Sequence, residues 1–109
     1  MKVINRVKKY REFKQILKKK SVKNDIFSVY FRDNEFGYAR VGLLVTKKNG
    51  IAVTRVKIKR QVRSVVDETL DYEKISKDII IVISPKYKVE NFQENREKLI
   101  KLLNSIKEI

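Results

Sequence analysis

The sequence predicts an α+β fold, a two-layer sandwich in the order helix-strands-helix-strand-helix. Three observations predict it. Apolar residues recur at helical spacing in three separate segments, they alternate in two others, and one short run, "IIIVI" (Ile79–Ile83), is apolar throughout. A chain of 109 residues that is 42% hydrophobic can bury one modest core, so residues 1–109 are expected to form a single domain.

The first segment, "VKKYREFKQILKKK", carries Val7, Tyr10, Phe13, Ile16 and Leu17 at helical spacing, with no helix breaker between Lys8 and Lys19. "DIFSVYFRD" then alternates: Phe27, Val29 and Phe31 fall on one side, Ser28, Tyr30 and Arg32 on the other, as in a half-buried strand. "NEFG" is a turn with Gly37 as its flexible member. "YARVGLLVTKK" is a second strand with Ala39, Val41, Leu43 and Val45 on its drier face, and "KKNG" (Lys47–Gly50) ends it. From about Val53 to Asp71 a helix buries Ile58, Val62, Val65, Val66 and Thr69 along one stripe. At roughly 100° per residue, Lys57, Lys59, Arg60 and Arg63 occupy the remaining arc, with Arg55 in the first turn. "DIIIVIS", bounded by Asp78 and Pro85, is short and β-branched and reads as a central strand covered on both faces. "ENFQENREKLIKLLNSIKEI" makes the last helix. Asn91 and Glu94 are patterned as an N-cap and its reciprocal acid, and Phe92, Leu99, Leu102, Leu103 and Ile106 form the buried face. The strand-helix-strand unit around residues 53–71 allows parallel flanking strands, for which a right-handed crossover is usual.

Charge narrows the function. The net charge is +14 and the pI about 10.1. Residues 1–63 hold 19 Lys/Arg against 4 Asp/Glu, whereas residues 64–109 hold 8 against 9. One half of the chain is a polycation, which points to a polyanionic partner: nucleic acid first, an anionic membrane surface second. No apolar run is long enough to span a bilayer, the basic arc offers no large apolar face for insertion, and the N-terminus lacks a signal-peptide core. No membrane partner and a cytoplasmic location are therefore expected. With no His and no Cys, imidazole acid/base chemistry, thiol nucleophiles, disulfides and the usual zinc sites are excluded. Asp33, Glu35, Asp67, Glu68 and Asp71 read as solvated charges rather than a two-metal cluster. Gly37, Gly42 and Gly50 do not make a phosphate loop. The polypeptide alone is a poor enzyme, with no catalytic residue, no metal site and no small-molecule substrate expected.

It has the makings of an RNA binder. Cations on a rigid helix meet successive phosphates, and Arg grips them bidentately. Tyr30, on the polar side of its strand, is placed either to stack an unpaired base, at about 1–3 kcal/mol, or to be partly covered by the first helix. Phe13 and Leu17 read chiefly as core residues that also form a cleft wall. A general RNA-binding module, such as a ribosome-associated protein, stays open as an alternative.

"RVGLLVTKKNGIAVTRVKIKRQVR", Arg40 to Arg63, resembles the protein subunit of bacterial ribonuclease P. That family shows a strand R-V-G-hydrophobic, a Ser/Thr-Lys-Lys group, a short Gly-containing loop and a helix hydrophobic-x-R-N-x-x-K-R-x-x-R. Arg40-Val41-Gly42, Thr46-Lys47-Lys48, Arg55, Lys59, Arg60 and Arg63 fall in register, and "NRVKKYREFKQIL" resembles the family's opening. Val56 stands where the motif has Asn, Lys57 where it has Arg, and Leu17 where a second aromatic is common. The resemblance implies a four-stranded sheet with a left-handed strand-helix-strand crossover. It implies as partners the catalytic RNA of ribonuclease P and precursor tRNA, whose 5′ leader the holoenzyme removes. Magnesium ions held by the RNA perform the hydrolysis, and the protein alone binds no cofactor. Lys47, Lys48, Arg55, Lys57, Lys59, Arg60 and Arg63 would contact RNA. Phe13, Leu17, Phe27, Tyr30 and Arg32 would line the cleft for the leader.

Overall fold

The computed structural model describes residues 1–107. Helix α1 (Tyr10–Ile16) is followed by strands β1 (Lys20–Lys23), β2 (Phe27–Asp33) and β3 (Arg40–Leu44). Helix α2 (Ala52–Thr69) then leads into strand β4 (Lys77–Ile83), and helix α3 (Phe92–Lys107) comes last. The strands form one sheet in the order β1-β2-β4-β3. β3 and β4 pair in parallel across the α2 connection, and β2 is antiparallel to both β1 and β4. The predicted α+β architecture and the four-stranded sheet are both present. Among the described residues no helix is long and apolar enough to cross a membrane.

Strand β4 is covered on both faces, as its unbroken apolar run predicts: Ile79, Ile80 and Ile81 are fully buried. On one face α2 and α3 bury Ile58, Val62, Val65, Val66, Leu99, Leu103 and Ile106 against Phe27, Val29, Phe31, Val41, Ile79 and Ile81. On the other face the short α1 sets Ile16 over Ile80, with Val7 beside them and Phe13, Leu17, Tyr30 and Val82 at the margin. Seven residues of helix cannot cover a four-stranded sheet, so part of this second face stays open.

Three elements differ from the sequence reading. The first helix ends at Ile16, not Lys19, and the chain turns into an edge strand, "KSVK", that sequence pattern does not reveal. Only Val22 in it is apolar; its backbone pairing with β2, from Lys20 opposite Phe31 to Lys23 opposite Ser28, makes it a strand. Tyr10, placed on the buried stripe by its spacing, opens the helix and is 73% exposed. Val7 is buried ahead of the helix, where Arg6 bridges to Val41 on the free edge of β3. At the last helix, a 3-10 turn (Val89–Asn91) runs directly into Phe92, and Asn95 Nδ2 donates to the Lys88 carbonyl at 2.8 Å. The final two residues of that predicted helix lie outside the described residues.

A buried ionic network ties α1 to the sheet. Asp78 is completely buried. Arg40 grips it with two bonds, Nε to Oδ1 at 2.8 Å and Nη2 to Oδ2 at 2.8 Å, while Arg32 Nε and Asn34 Nδ2 each donate at 2.9 Å. Arg40 Nη2 also reaches Glu12 of α1 at 2.7 Å. Burial pushes the Asp78 carboxyl up, but the hydrogen bonds from Arg40, Asn34 and Arg32 outweigh it and hold the group below the ordinary carboxylate range. The same interactions, Asp78 foremost, raise the Arg40 guanidinium further above its already high value.

Candidate nucleic-acid interface

Helix α2 folds because Ile58, Val62, Val65 and Val66 bury one stripe, with Thr69 half-buried at its end. That stripe fixes the direction of everything opposite. Lys57 and Arg60 are exposed, and Arg55, Lys59 and Arg63 are half-buried; the Arg55 Nε is itself buried and has no hydrogen-bond partner among the described residues. Among the described residues, none of the five has a carboxylate within ion-pair distance; the side-chain pairs involve Arg32, Arg40, Lys74, Lys77, Arg96 and Lys98. Asp67 and Glu68, next along α2, are engaged elsewhere: Asp67 accepts from Tyr72 Oη at 2.7 Å, and Glu68 pairs with Arg96 at 2.5 Å. Arg60 and Arg63 line an open groove on the outer face of the helix together with Val56, Ser64, Asp67 and Glu68. The arc is thus a fixed positive field, with Asp67 and Glu68 as the acids at its C-terminal end.

Lys47 and Lys48 are held at the entrance to this helix. They lie exposed in a 3-10 turn (Lys47–Asn49) closed by reciprocal bonds: Thr46 Oγ1 accepts from Lys48 N at 3.3 Å and Asn49 Oδ1 accepts from Thr46 N at 3.1 Å. Asn49 Nδ2 donates to the Ser84 carbonyl at 2.8 Å, which ties the turn to the end of β4.

The α1 side of the sheet presents three cross-strand rows. Arg32, Asp78 and Arg40 make the first; Tyr30, Ile80 and Gly42 the second; Ser28, Val82 and Leu44 the third. Helix α1 covers the first two. The third remains half-exposed, as does Tyr30. An open cleft results, with Phe13 and Leu17 as its wall and Tyr30, Ser28, Val82 and Leu44 as its floor. The predicted Phe13, Leu17 and Tyr30 meet here. Phe27 does not, which corrects its assignment to the cleft: it points to the opposite face, where it is buried edge-on against Tyr87 with ring centroids 5.8 Å apart. Arg32 lies on the correct face but spends Nε on Asp78 and Nη1 on Gln15 at 3.3 Å, so it anchors the base of α1.

The cationic and apolar surfaces join at the edge of β3. A small cavity of about 110 Å³ there is lined by Arg6, Val7, Phe13 and Gly42 together with Arg63 of α2. Gly42 permits this closeness. A Cβ at that position would lie 2.5 Å from Phe13 Cζ and 2.8 Å from Ile80 Cδ1. Gly42→Ala is expected to displace the Phe13 ring and cost about 1–3 kcal/mol by overpacking. Urea denaturation measures this, and adding Phe13→Leu should recover part of the loss, since the two residues touch.

Sequence reasoning missed the floor residues Ser28, Val82 and Leu44. Their signal is parity: Ser28 shares Tyr30's side of β2, and Leu44 is out of phase with the drier Val41 and Leu43. In the sequence Asp78 marks only a strand boundary, because its partner Arg40 lies 38 residues away.

Fold and site together define a small basic α+β sandwich of the nucleic-acid-binding class, with a rigid cationic helix beside an aromatic cleft. Comparisons agree and go further. The Ribonuclease P family model matches residues 1–107. A ribonuclease P protein component of Mycoplasma capricolum is 39% identical over 103 residues, covering 93% of this chain and 94% of the relative. Among solved structures, a Staphylococcus aureus RNase P protein mutant has a TM-score of 0.83 at 34% identity, covering 95% of this chain and 89% of that one. The RNase P protein from Thermotoga maritima has a TM-score of 0.74 at 34% identity, covering 95% and 96%. The chain belongs to the ribonuclease P protein family, the protein subunit of an endoribonuclease that matures the 5′ end of tRNA.

Proposed function

We propose that the cations of α2, with Lys47 and Lys48, seat this protein on the catalytic RNA of ribonuclease P, and that the α1 cleft holds the single-stranded 5′ leader of precursor tRNA. One observation carries the reading: five α2 cations with no ion pair among the described residues meet, through Arg63, an apolar, aromatic cleft of the kind that accepts unstacked bases. Phosphates would meet Arg55, Lys57, Lys59, Arg60 and Arg63, and a leader base would stack on Tyr30 between Phe13 and Leu17. Magnesium ions bound by the RNA would supply the activated water. Among the described residues no group of three or more His, Cys, Asp or Glu is placed to hold a metal ion. The protein's part is then to neutralise phosphate repulsion and to position the leader.

Reconstitution tests this. With cognate catalytic RNA and precursor tRNA at low magnesium, adding the protein should speed cleavage; an unchanged rate would sink the reading. Tyr30→Ala should weaken holoenzyme binding of leader-bearing precursor by about 5- to 150-fold, the range of one missing base stack. Affinity for mature tRNA should not change. Equal losses for both RNAs would show that Tyr30 serves the fold and not the leader.

A further inference from the structure

We infer that the protein has a second single-stranded RNA site, on the flank of α1 opposite the leader cleft, where Phe36 packs against a base and Lys9 and Arg11 meet its phosphates. The inference rests on the RNA-binding reading above and adds a site to it. A groove of about 720 Å³ lies between α1 and the turn joining β2 to β3, lined by Lys9, Arg11, Glu12, Phe36 and Arg40. That volume is ample for one nucleotide.

Its composition suits RNA. Phe36 is 52% exposed. Lys9 and Arg11 are exposed, and neither has a carboxylate partner among the described residues. The one acid in the groove, Glu12, is neutralised by Arg40 at 2.7 Å. An anionic ligand therefore meets two free cations and no free carboxylate.

The aromatic is also held in place. The Phe36 amide donates to Asn34 Oδ1 at 3.1 Å, and the Gly37 amide donates to Ser76 Oγ at 3.2 Å. Asn34 is itself bonded to the buried Asp78. The Phe36 ring stacks on Tyr38 with centroids 5.6 Å apart, and the Arg40 guanidinium lies 4.4 Å from its centre. With Tyr38 and Arg40 against it, the ring offers its exposed remainder as a preorganised apolar contact, not a loose loop tip. Gln15 and Glu12 of α1 face the Arg32–Asp78–Arg40 row, whereas Phe13 faces Gly42 in the next row, so α1 separates this groove from the leader cleft.

The chain has no Trp, so Phe36→Trp creates a single fluorescent reporter in the groove. The probe is a 5′-labelled hexauridylate titrated into the purified protein, read both by quenching of the introduced indole and by anisotropy of the label. Saturable quenching is expected. Adding Lys9→Ala with Arg11→Ala should shift its midpoint at least fivefold, while adding Tyr30→Ala should leave it within twofold. Three results would overturn the site: an indole that stays silent while anisotropy reports binding, a midpoint indifferent to Lys9 and Arg11, or equal quenching by polyglutamate, which would mark a general polyanion surface. If instead the indole responds as expected but Tyr30→Ala changes no anisotropy, the leader-cleft reading fails and the groove stands.

Discussion

Asp78→Asn should lower the free energy of unfolding by about 3–5 kcal/mol, the usual result of removing one partner from a buried ion pair. The variant keeps the shape of the side chain but leaves the largely buried Arg40 guanidinium without the carboxylate that Nε and Nη2 now grip, with Glu12 as its remaining counter-charge. Urea or thermal denaturation reads the loss, which in a domain of this size lowers Tm by more than ~10 °C. Asp71→Asn is the control. Its partner Lys74 is 3.7 Å away and both side chains are solvent-exposed, so the midpoint should barely move. The wild-type pH profile carries the same signature. Because the folded Asp78 carboxyl sits below its unfolded value of ~3.9, its stabilisation is fully present above that pH. It is lost as the pH falls through the depressed folded value, so acid should unfold the wild type along a limb that Asp78→Asn flattens. A variant within ~1 kcal/mol of wild type would mean that the network does not hold α1.

Arg60→Ala with Arg63→Ala should weaken binding to the catalytic RNA by about a hundredfold, at ~1.5 kcal/mol for each charge-assisted hydrogen bond removed. The more diagnostic change is in salt dependence. Each phosphate interaction removed takes roughly one unit off the log–log slope, so the double variant should drop by roughly two. Arg60 is exposed and neither side chain has an ion pair among the described residues, so the folded state should keep its denaturation midpoint. A slope equal to wild type would establish that these guanidinium groups reach no phosphate.

Much of this arrangement is legible in the residues themselves. The stripe Ile58–Val62–Val65–Val66 orients α2, and the cations opposite it follow from helical geometry. The run Ile79–Ile83 announces a strand buried on both faces. Other features depend on partners that spacing cannot supply. β1 exists because its backbone donors and acceptors find the edge of β2, a pairing that leaves almost no apolar trace in "KSVK". The alternation in β2 already separates Phe27 from Tyr30; only the packing of Tyr87 on one face and α1 on the other decides which of them the cleft receives. The Arg40–Asp78 grip, and with it the role of Arg32 as an anchor, is a long-range pairing between two strands that look ordinary in sequence. Gly42 stands in the family motif, and its reason emerges only when the Phe13 ring is seen lying on its backbone.

On the proposed reading two surfaces divide the work: α2 would face the catalytic RNA, and the α1 cleft would face the leader. The chain contains no Cys, so a photo-crosslinker can be attached at one chosen position without background. Lys57→Cys places it on the exposed arc of α2 and Leu17→Cys on the cleft wall. In the assembled holoenzyme with precursor tRNA, position 57 should crosslink to catalytic RNA and position 17 to the 5′ leader. Leader crosslinks from 57 with none from 17, or no RNA crosslink from either, would refute this division.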